Sequence, residues 1–330
     1  MKTKDAVLAF LKKQADYVSG EALGEALGVT RTAINAAVKA LRQDGYEISS
    51  STNKGYILSY SPNSINCGEL LTLLPPERVE NILCLESVDS TNNRLREMAL
   101  AGAPAGQIVI AESQTAGRGR YGRQFVSPKG KGVYISALFR PESVPPESAS
   151  TLTAWVAVAI CNAVEKTCGV RPSVKWVNDL LLGNRKICGI LTEMTIESEN
   201  GHIQYVIVGA GINVNEIETD FPEELRSIAT SVYAETGKQH SRAELAAQII
   251  TELDKLGKLW PNEKTAYLAA YKNDCVTVGK TVRISGKEET VCYAKEIDDN
   301  FGLVVKFSDG TEKTVSSGEV SVRGLYGYVD

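Results

Sequence analysis

Along the first sixty residues, apolar positions recur at helical spacing in three short bursts. The pattern predicts helices over Asp5–Gln14 and Gly20–Leu27, and a third from Thr30 to about Gln43. Ser19 and Thr30 stand where N-caps belong, Gly28-Val29 makes the turn between the second and third helices, and Gly45 ends the third. Ile34, Val38 and Leu41 fall at i, i+4 and i+7 and face inward, which turns Arg31, Thr32, Asn35 and Lys39 outward. Two alternating runs, Tyr46–Ser50 and Gly55–Tyr60, then read as strands around a polar tip that carries Lys54. This is the pattern of a winged helix-turn-helix. The outward residues Arg31, Thr32, Asn35, Lys39 and Lys54 have the chemistry for phosphates and base edges, so DNA is the expected partner. A plain packing or dimerisation domain is the competing reading, and the wing argues against it.

Beyond a polar, Pro-containing linker at Ser59–Asn66 the periods mix. Cys67–Leu74 reads as a short helix stopped by Pro75-Pro76. Strands are expected at Asn81–Val88, Gln107–Gln114, Val133–Leu138, Ser173–Trp176, Leu180–Leu182, Lys186–Glu193 and Gln204–Gly211. Helices are expected at Asn92–Ala101, Ser148–Cys168, Arg242–Lys258 and Lys264–Lys272. Gly183-Asn184 between apolar runs marks a hairpin. Hairpin-paired strands with helices in separate blocks argue for an α+β class. After Val276 the pattern is all strand, near Thr281–Ser285, Glu289–Asp298, Leu303–Phe307 and Glu312–Val315, as in a small barrel. The chain therefore divides into 1–60, 61–274 and 275–330.

Composition narrows the chemistry. With 36 Lys and Arg against 40 Asp and Glu the net charge is −4, so no global basic field advertises nucleic acid. Only two histidines, His202 and His240, occur in 330 residues, which excludes a His-rich metal site and disfavours a Ser-His-Asp triad. Seven cysteines without a CxxC pair read as reduced thiols, and the place expected is the cytoplasm. The longest apolar run, Ala154–Cys161, is too short to span a bilayer, so no membrane partner is expected.

Five segments carry candidate chemistry. Gln114-Thr-Ala-Gly-Arg-Gly-Arg-Tyr-Gly-Arg123 interleaves three glycines with three arginines at a strand end. Glycines admit an anion close to backbone N–H groups, and arginines add fixed charge and bidentate geometry. The segment is neither GxxxxGK[ST] nor a dinucleotide fingerprint. Alone it would pass for a solvated basic loop. Its companions are Asp89-Ser-Thr-Asn92, whose hydroxyls would otherwise simply cap a helix, and Lys175-Trp-Val-Asn-Asp179, with a phosphate-reaching lysine and two oxygen-bearing side chains suited to Mg²⁺. Arg185–Glu193 puts Lys186 just after the hairpin, and Gly209–Asn215 ends a strand with two asparagines.

In this order the five segments resemble the biotin–protein ligase family in its bifunctional form, which is also a biotin operon repressor. The resemblance covers nearly the whole chain, and the GRGRYGR loop followed by residues 125–134 is its most specific part. It implies a central mixed sheet like that of class II aminoacyl-tRNA synthetases and a C-terminal SH3-like barrel. The implied reaction takes biotin and MgATP to biotinyl-5′-adenylate, then transfers biotin to a lysine of a biotin carboxyl carrier protein. Arg118, Arg120 and Lys186 are implied as catalytic. Ser90, Thr91, Asn92, Gln114 and Gly119 join those three in holding biotin. Gly117, Arg123, Lys175, Asn178, Asp179 and Asn213 are implied for ATP, with Asn178 and Asp179 nearest the metal. Operator DNA and a homodimer promoted by the adenylate complete the expected partners. Two departures stand out: Phe125 replaces a frequent tryptophan, and Val177 replaces the usual proline, which is expected to loosen Asn178 and Asp179. The alternatives are a lipoate–protein ligase and a sensor-only transcription factor with a degenerate ligase core.

Overall fold

The computed structural model describes residues 2–142, 144–196, 202–285, 289–316 and 321–324. The N-terminal unit has helices α1 (Thr3–Lys12), α2 (Gly20–Leu27) and α3 (Arg31–Gln43), followed by the antiparallel pair β1 (Glu47–Ser51) and β2 (Gly55–Tyr60). The caps fall where expected: Ser19 Oγ accepts from Ala22 N at 3.0 Å, and Thr30 Oγ1 from Ala33 N at 3.2 Å. Gly28 takes the left-handed conformation of the turn, at φ +65. Ile34, Val38 and Leu41 are buried, whereas Arg31, Thr32, Asn35, Lys39 and Lys54 are exposed. Gly55 cannot be replaced freely, because a Cβ there would lie 2.0 Å from Val18 O.

The residues read as a linker are not a loose tether. Asn66 caps the short helix α4 (Cys67–Leu70), which ends earlier than Leu74, and Ile65 is buried. α1 lies directly on α4, so closely that a Cβ at Gly68 would come within 2.8 Å of Leu8 Cδ2. Beneath this contact the buried Glu69 carboxylate pairs with Lys12 and accepts from Tyr46 Oη at 2.9 Å. Within Ser59–Asn66, Asn63 bonds the core, donating to His240 O at 2.7 Å and accepting from Arg242 N at 2.9 Å. After α4 comes α5 (Pro76–Val79).

The central sheet is built from β3 (Ile82–Leu85), β4 (Ile108–Ala111), β5 (Val133–Phe139), β6 (Ser173–Lys175), β7 (Asp179–Leu182), β8 (Arg185–Ile196) and β9 (Ile203–Ile212). Their order is β3-β4-β5-β9-β8-β7-β6, with β3 and β4 parallel and every other pair antiparallel, so the sheet is mixed as expected. α6 (Thr91–Leu100) covers one face, its Leu95 clustering with Val109, Leu138 and Ile207 of the sheet. The single helix expected from Ser148 is two: α7 (Pro146–Ala149) and α8 (Leu152–Cys168). α8 packs under the sheet, buried nearly all round by α10 (Arg242–Leu259) and α11 (Lys264–Asp274), and Trp155 stacks on Tyr267 with centroids 4.2 Å apart. α9 (Val232–Thr236) precedes them.

The C-terminal strands β10 (Thr281–Ser285), β11 (Glu289–Ile297), β12 (Leu303–Lys306), β13 (Glu312–Val315) and β14 (Ser321–Gly324) form an antiparallel sheet in the order β13-β12-β11-β10-β14. β14 has no counterpart in the pattern reading. This sheet grips the central one: Trp176 N donates to Thr277 Oγ1 at 2.9 Å, and Trp176 Nε1 to Phe301 O at 3.0 Å. No helix among the described residues is long and apolar enough to cross a membrane, and all seven cysteines are free.

Candidate ligand site

One pocket opens over the first half of β8 and the end of β9, where Gly189, Gly209 and Gly211 line it. A Cβ at Gly209 would lie 2.1 Å from Asn92 Oδ1, and one at Gly211 2.5 Å from the Phe125 ring. Only hydrogen fits at these two positions, so Asn92 and the Phe125 ring lie directly on the β9 backbone. Every residue expected to hold a ligand lines this pocket except Gly117. Gly117 sits behind the loop, where its carbonyl accepts from Phe125 N at 2.9 Å and a Cβ would strike Phe125 O.

The arginine-rich segment is a narrow hairpin rather than an open loop. Gly119 N donates to Arg123 O at 2.7 Å, and Arg120–Gly122 makes one 3₁₀ turn with Tyr121 left-handed at φ 58. Its arginines diverge. Arg118 turns to Glu193 at 3.1 Å and to Asn93 Oδ1 at 2.9 Å. Arg120 donates to Asn178 Oδ1 at 3.1 Å and lies over the Tyr121 ring.

At the start of α6, Ser90 is the N-cap by position, but its hydroxyl makes no cap bond. Gln114 does that work instead: its Oε1 accepts from Thr91 N at 2.9 Å, and its Nε2 donates to Ser127 Oγ. Asn92 is committed on both sides, accepting from Ser136 Oγ at 2.6 Å and donating to Glu193 Oε2 at 2.9 Å. The Asn93 amide donating to Asp89 holds that carboxyl below the usual carboxylate range.

On the far wall Lys186 Nζ pairs with Asp179 Oδ1 at 2.6 Å, and Lys175 is buried at the end of β6. Val177 does not leave a loose turn. It is buried, its carbonyl accepts from Tyr271 Oη at 3.3 Å, and Asn178 bonds Ile190 through both Nδ2 and its backbone carbonyl. Asn213 is buried and donates to Thr230 O at 3.0 Å. Sequence reasoning missed Phe221, Leu225, Ile228 and Ala229, apolar residues that close one side of the pocket. They follow no motif, and only the pairing of Lys186 with Ile228 and Thr230 brings them in. It also missed Tyr56, which donates to Asn35 from the wing.

Residues 84–213 match the biotin/lipoate A/B protein ligase family, and residues 3–57 match an HTH domain. The first match by itself does not separate biotin from lipoate. Over 318 residues the chain is 33% identical to the bifunctional ligase/repressor BirA of Bacillus subtilis, covering 95% of this chain and 97% of that one. This chain belongs to the bifunctional ligase/repressor family. Its Escherichia coli relative of the same description is 32% identical over 96% of each chain. A biotin protein ligase from Aquifex aeolicus, solved in complex with biotin and ATP, superposes with TM-score 0.64 at 28% identity, over 74% of this chain and 99% of that one. The fold is thus a biotin ligase fold with an N-terminal HTH domain and a C-terminal antiparallel sheet. The chain is a ligase enzyme of this bifunctional family, as the resemblance implied.

Proposed function

We propose that the chain joins biotin to ATP, giving biotinyl-5′-adenylate and pyrophosphate, and passes biotin to a lysine of a biotin carboxyl carrier protein. The observation that carries this reading is one glycine-lined pocket that gathers Arg118, Arg120, Arg123, Lys175 and Lys186. A carboxylate that attacks a phosphate needs its own charge and the departing charge neutralised more than it needs a base. Lys186 would leave Asp179 for the biotin carboxylate, whose oxygen bonds to the α-phosphorus as pyrophosphate departs. Arg120 and Arg123 would hold the phosphate, and Lys175 the pyrophosphate. In the second step the carrier amine bonds to the anhydride carbonyl carbon, loses its proton, and AMP leaves.

Mg²⁺ fits this wall. The Asp179 carboxylate and Asn178 amide oxygen are the hard donors that a phosphate-borne Mg²⁺ takes, and no cluster of three acidic, His or Cys ligands exists among the described residues to hold an ion alone. Bound there with ATP, Mg²⁺ would neutralise phosphate charge.

We assign residues 1–60 to operator binding, 61–274 to ligation, and 275–330 to an SH3-like barrel that braces Trp176. The ligation sheet is read as class II synthetase-like, and the compartment as cytoplasmic. α3 would enter the major groove with Thr32 and Asn35 near bases and Arg31, Lys39 and Lys54 near phosphates. For the homodimer, β8 offers a seam. Beyond Ile190 it pairs only with β9 among the described residues, and Met194 and Ile196 are exposed there. That edge adjoins the loop through Glu193, so closing the loop over the adenylate would ready the seam, making the adenylate a corepressor.

The test is incubation with α-labelled ATP and either biotin or lipoate, followed by an acceptor carrier domain. Labelled adenylate and carrier modification with biotin alone are expected. Turnover with lipoate alone would overturn the reading, and turnover with neither would leave a sensor-only protein.

A further inference from the structure

Three segments converge on the Glu193 carboxylate. Asn92 Nδ2 donates to it at 2.9 Å from the start of α6, Arg96 reaches it at 2.6 Å from the next turn, and Arg118 reaches it at 3.1 Å from the arginine-rich hairpin. Glu193 is shared between two guanidiniums, and the Asp89 carboxylate also lies near enough to Arg118 to feel its charge. The Glu193 side chain is 23% exposed and that of Arg118 40% exposed, which makes the pair weak, salt-sensitive and exchangeable. The two inner arginines of the hairpin therefore hold opposite walls: Arg118 the α6–β8 wall, Arg120 the turn at Asn178.

We propose that Glu193 is a positioning residue for ligation. It latches Arg118, and through Arg118 the near end of the hairpin, over the pocket, so that the adenylate is retained until the acceptor lysine arrives. Glu193 touches no reacting atom; it also accepts from Asn92, a contact that Glu193→Gln can keep through its amide oxygen, so the variant isolates the part played through Arg118. A latch made of a half-exposed ion pair suits the task. It opposes opening of a glycine-rich segment, yet it opens readily enough to admit the acceptor. The inference rests on the ligase reading above.

The test uses the full chain. Adenylate is formed from biotin and labelled ATP, unlabelled adenylate is added in excess, and loss of label from the protein is followed in wild type, E193Q, R118A and E193Q/R118A. Glu193→Gln keeps side-chain size and an amide oxygen for Asn92, so the fold should survive, and the thermal midpoint checks that. Label should leave E193Q about two- to fivefold faster, the size of a half-exposed ion pair, with biotin affinity unchanged. The double variant should lose label no faster than R118A. Wild type should leak faster as salt shortens the Debye length from about 10 Å to about 3 Å, and E193Q should respond less steeply. Wild-type retention in E193Q, or multiplicative effects in the double variant, would overturn the latch while leaving the ligase reading intact. If wild type forms no adenylate, the ligase reading falls, and the latch with it.

Discussion

The junction where residues 63–65 enter the core, and the rim of the ligand pocket, use the same residue types in opposite ways. At the junction the charges are buried. Arg242 is 1% exposed, pairs with Glu112 at 2.9 Å, and donates to the carbonyls of Gly132 and Asn63, while Glu112 also accepts from Ile65 N. At the rim, Arg118 with Glu193 and Lys186 with Asp179 pair where water still reaches them. Breaking a buried pair strands a charge in low dielectric, whereas breaking a rim pair exchanges one partner for water or substrate. The junction is thus built to stay shut, whereas the rim pairs can change partners.

The largest effect that would sharpen this contrast is at Glu112. Glu112→Ala leaves Arg242 buried without its counter-ion and Ile65 N without its acceptor, so unfolding free energy in urea should fall by about 3–5 kcal/mol. A loss below about 1 kcal/mol would mean the junction behaves like the rim.

The next effect is one of pH. Glu216 is 1% exposed, and burial pushes its carboxyl up from 4.5 to about 7. Its folded value lies above its unfolded one, so its contribution to stability is full below 4.5 and is lost as pH rises through about 7. The loss should approach about 3 kcal/mol, read from urea midpoints across that window, and Glu216→Gln should flatten it. The smallest effect on stability is expected at the rim. Lys186→Ala should change unfolding free energy by no more than about 1 kcal/mol, yet depress the single-turnover rate of adenylate formation. A large stability loss, or an unaltered rate, would break the comparison from the other side.

The N-terminal unit was legible almost residue by residue because its signals are local. Ser19, Thr30 and Gly28 act within a turn of themselves, and α2 has the expected ends. The pocket residues were legible as motifs, since an anion site needs glycine and arginine side by side in sequence. The linker's anchorage was not legible because its partners are remote: Asn63 accepts from Arg242 N, 179 positions away. α8 gave no warning of its break from α7, because a helix buried on all sides has no polar stripe to mark its start.

By itself the sequence determined the order of elements, the chemical inventory of the pocket and the polar face of α3, because each depends on neighbours within about one turn or one strand. Only the tertiary structure decided how that inventory is shared out. It committed Gln114 to capping α6, sent Arg118 to Glu193 and Arg120 to Asn178, and wedged the supposed linker against Arg242. Those choices depend on which side chains from distant segments come within about 3 Å of one another, a distance that packing sets and composition does not.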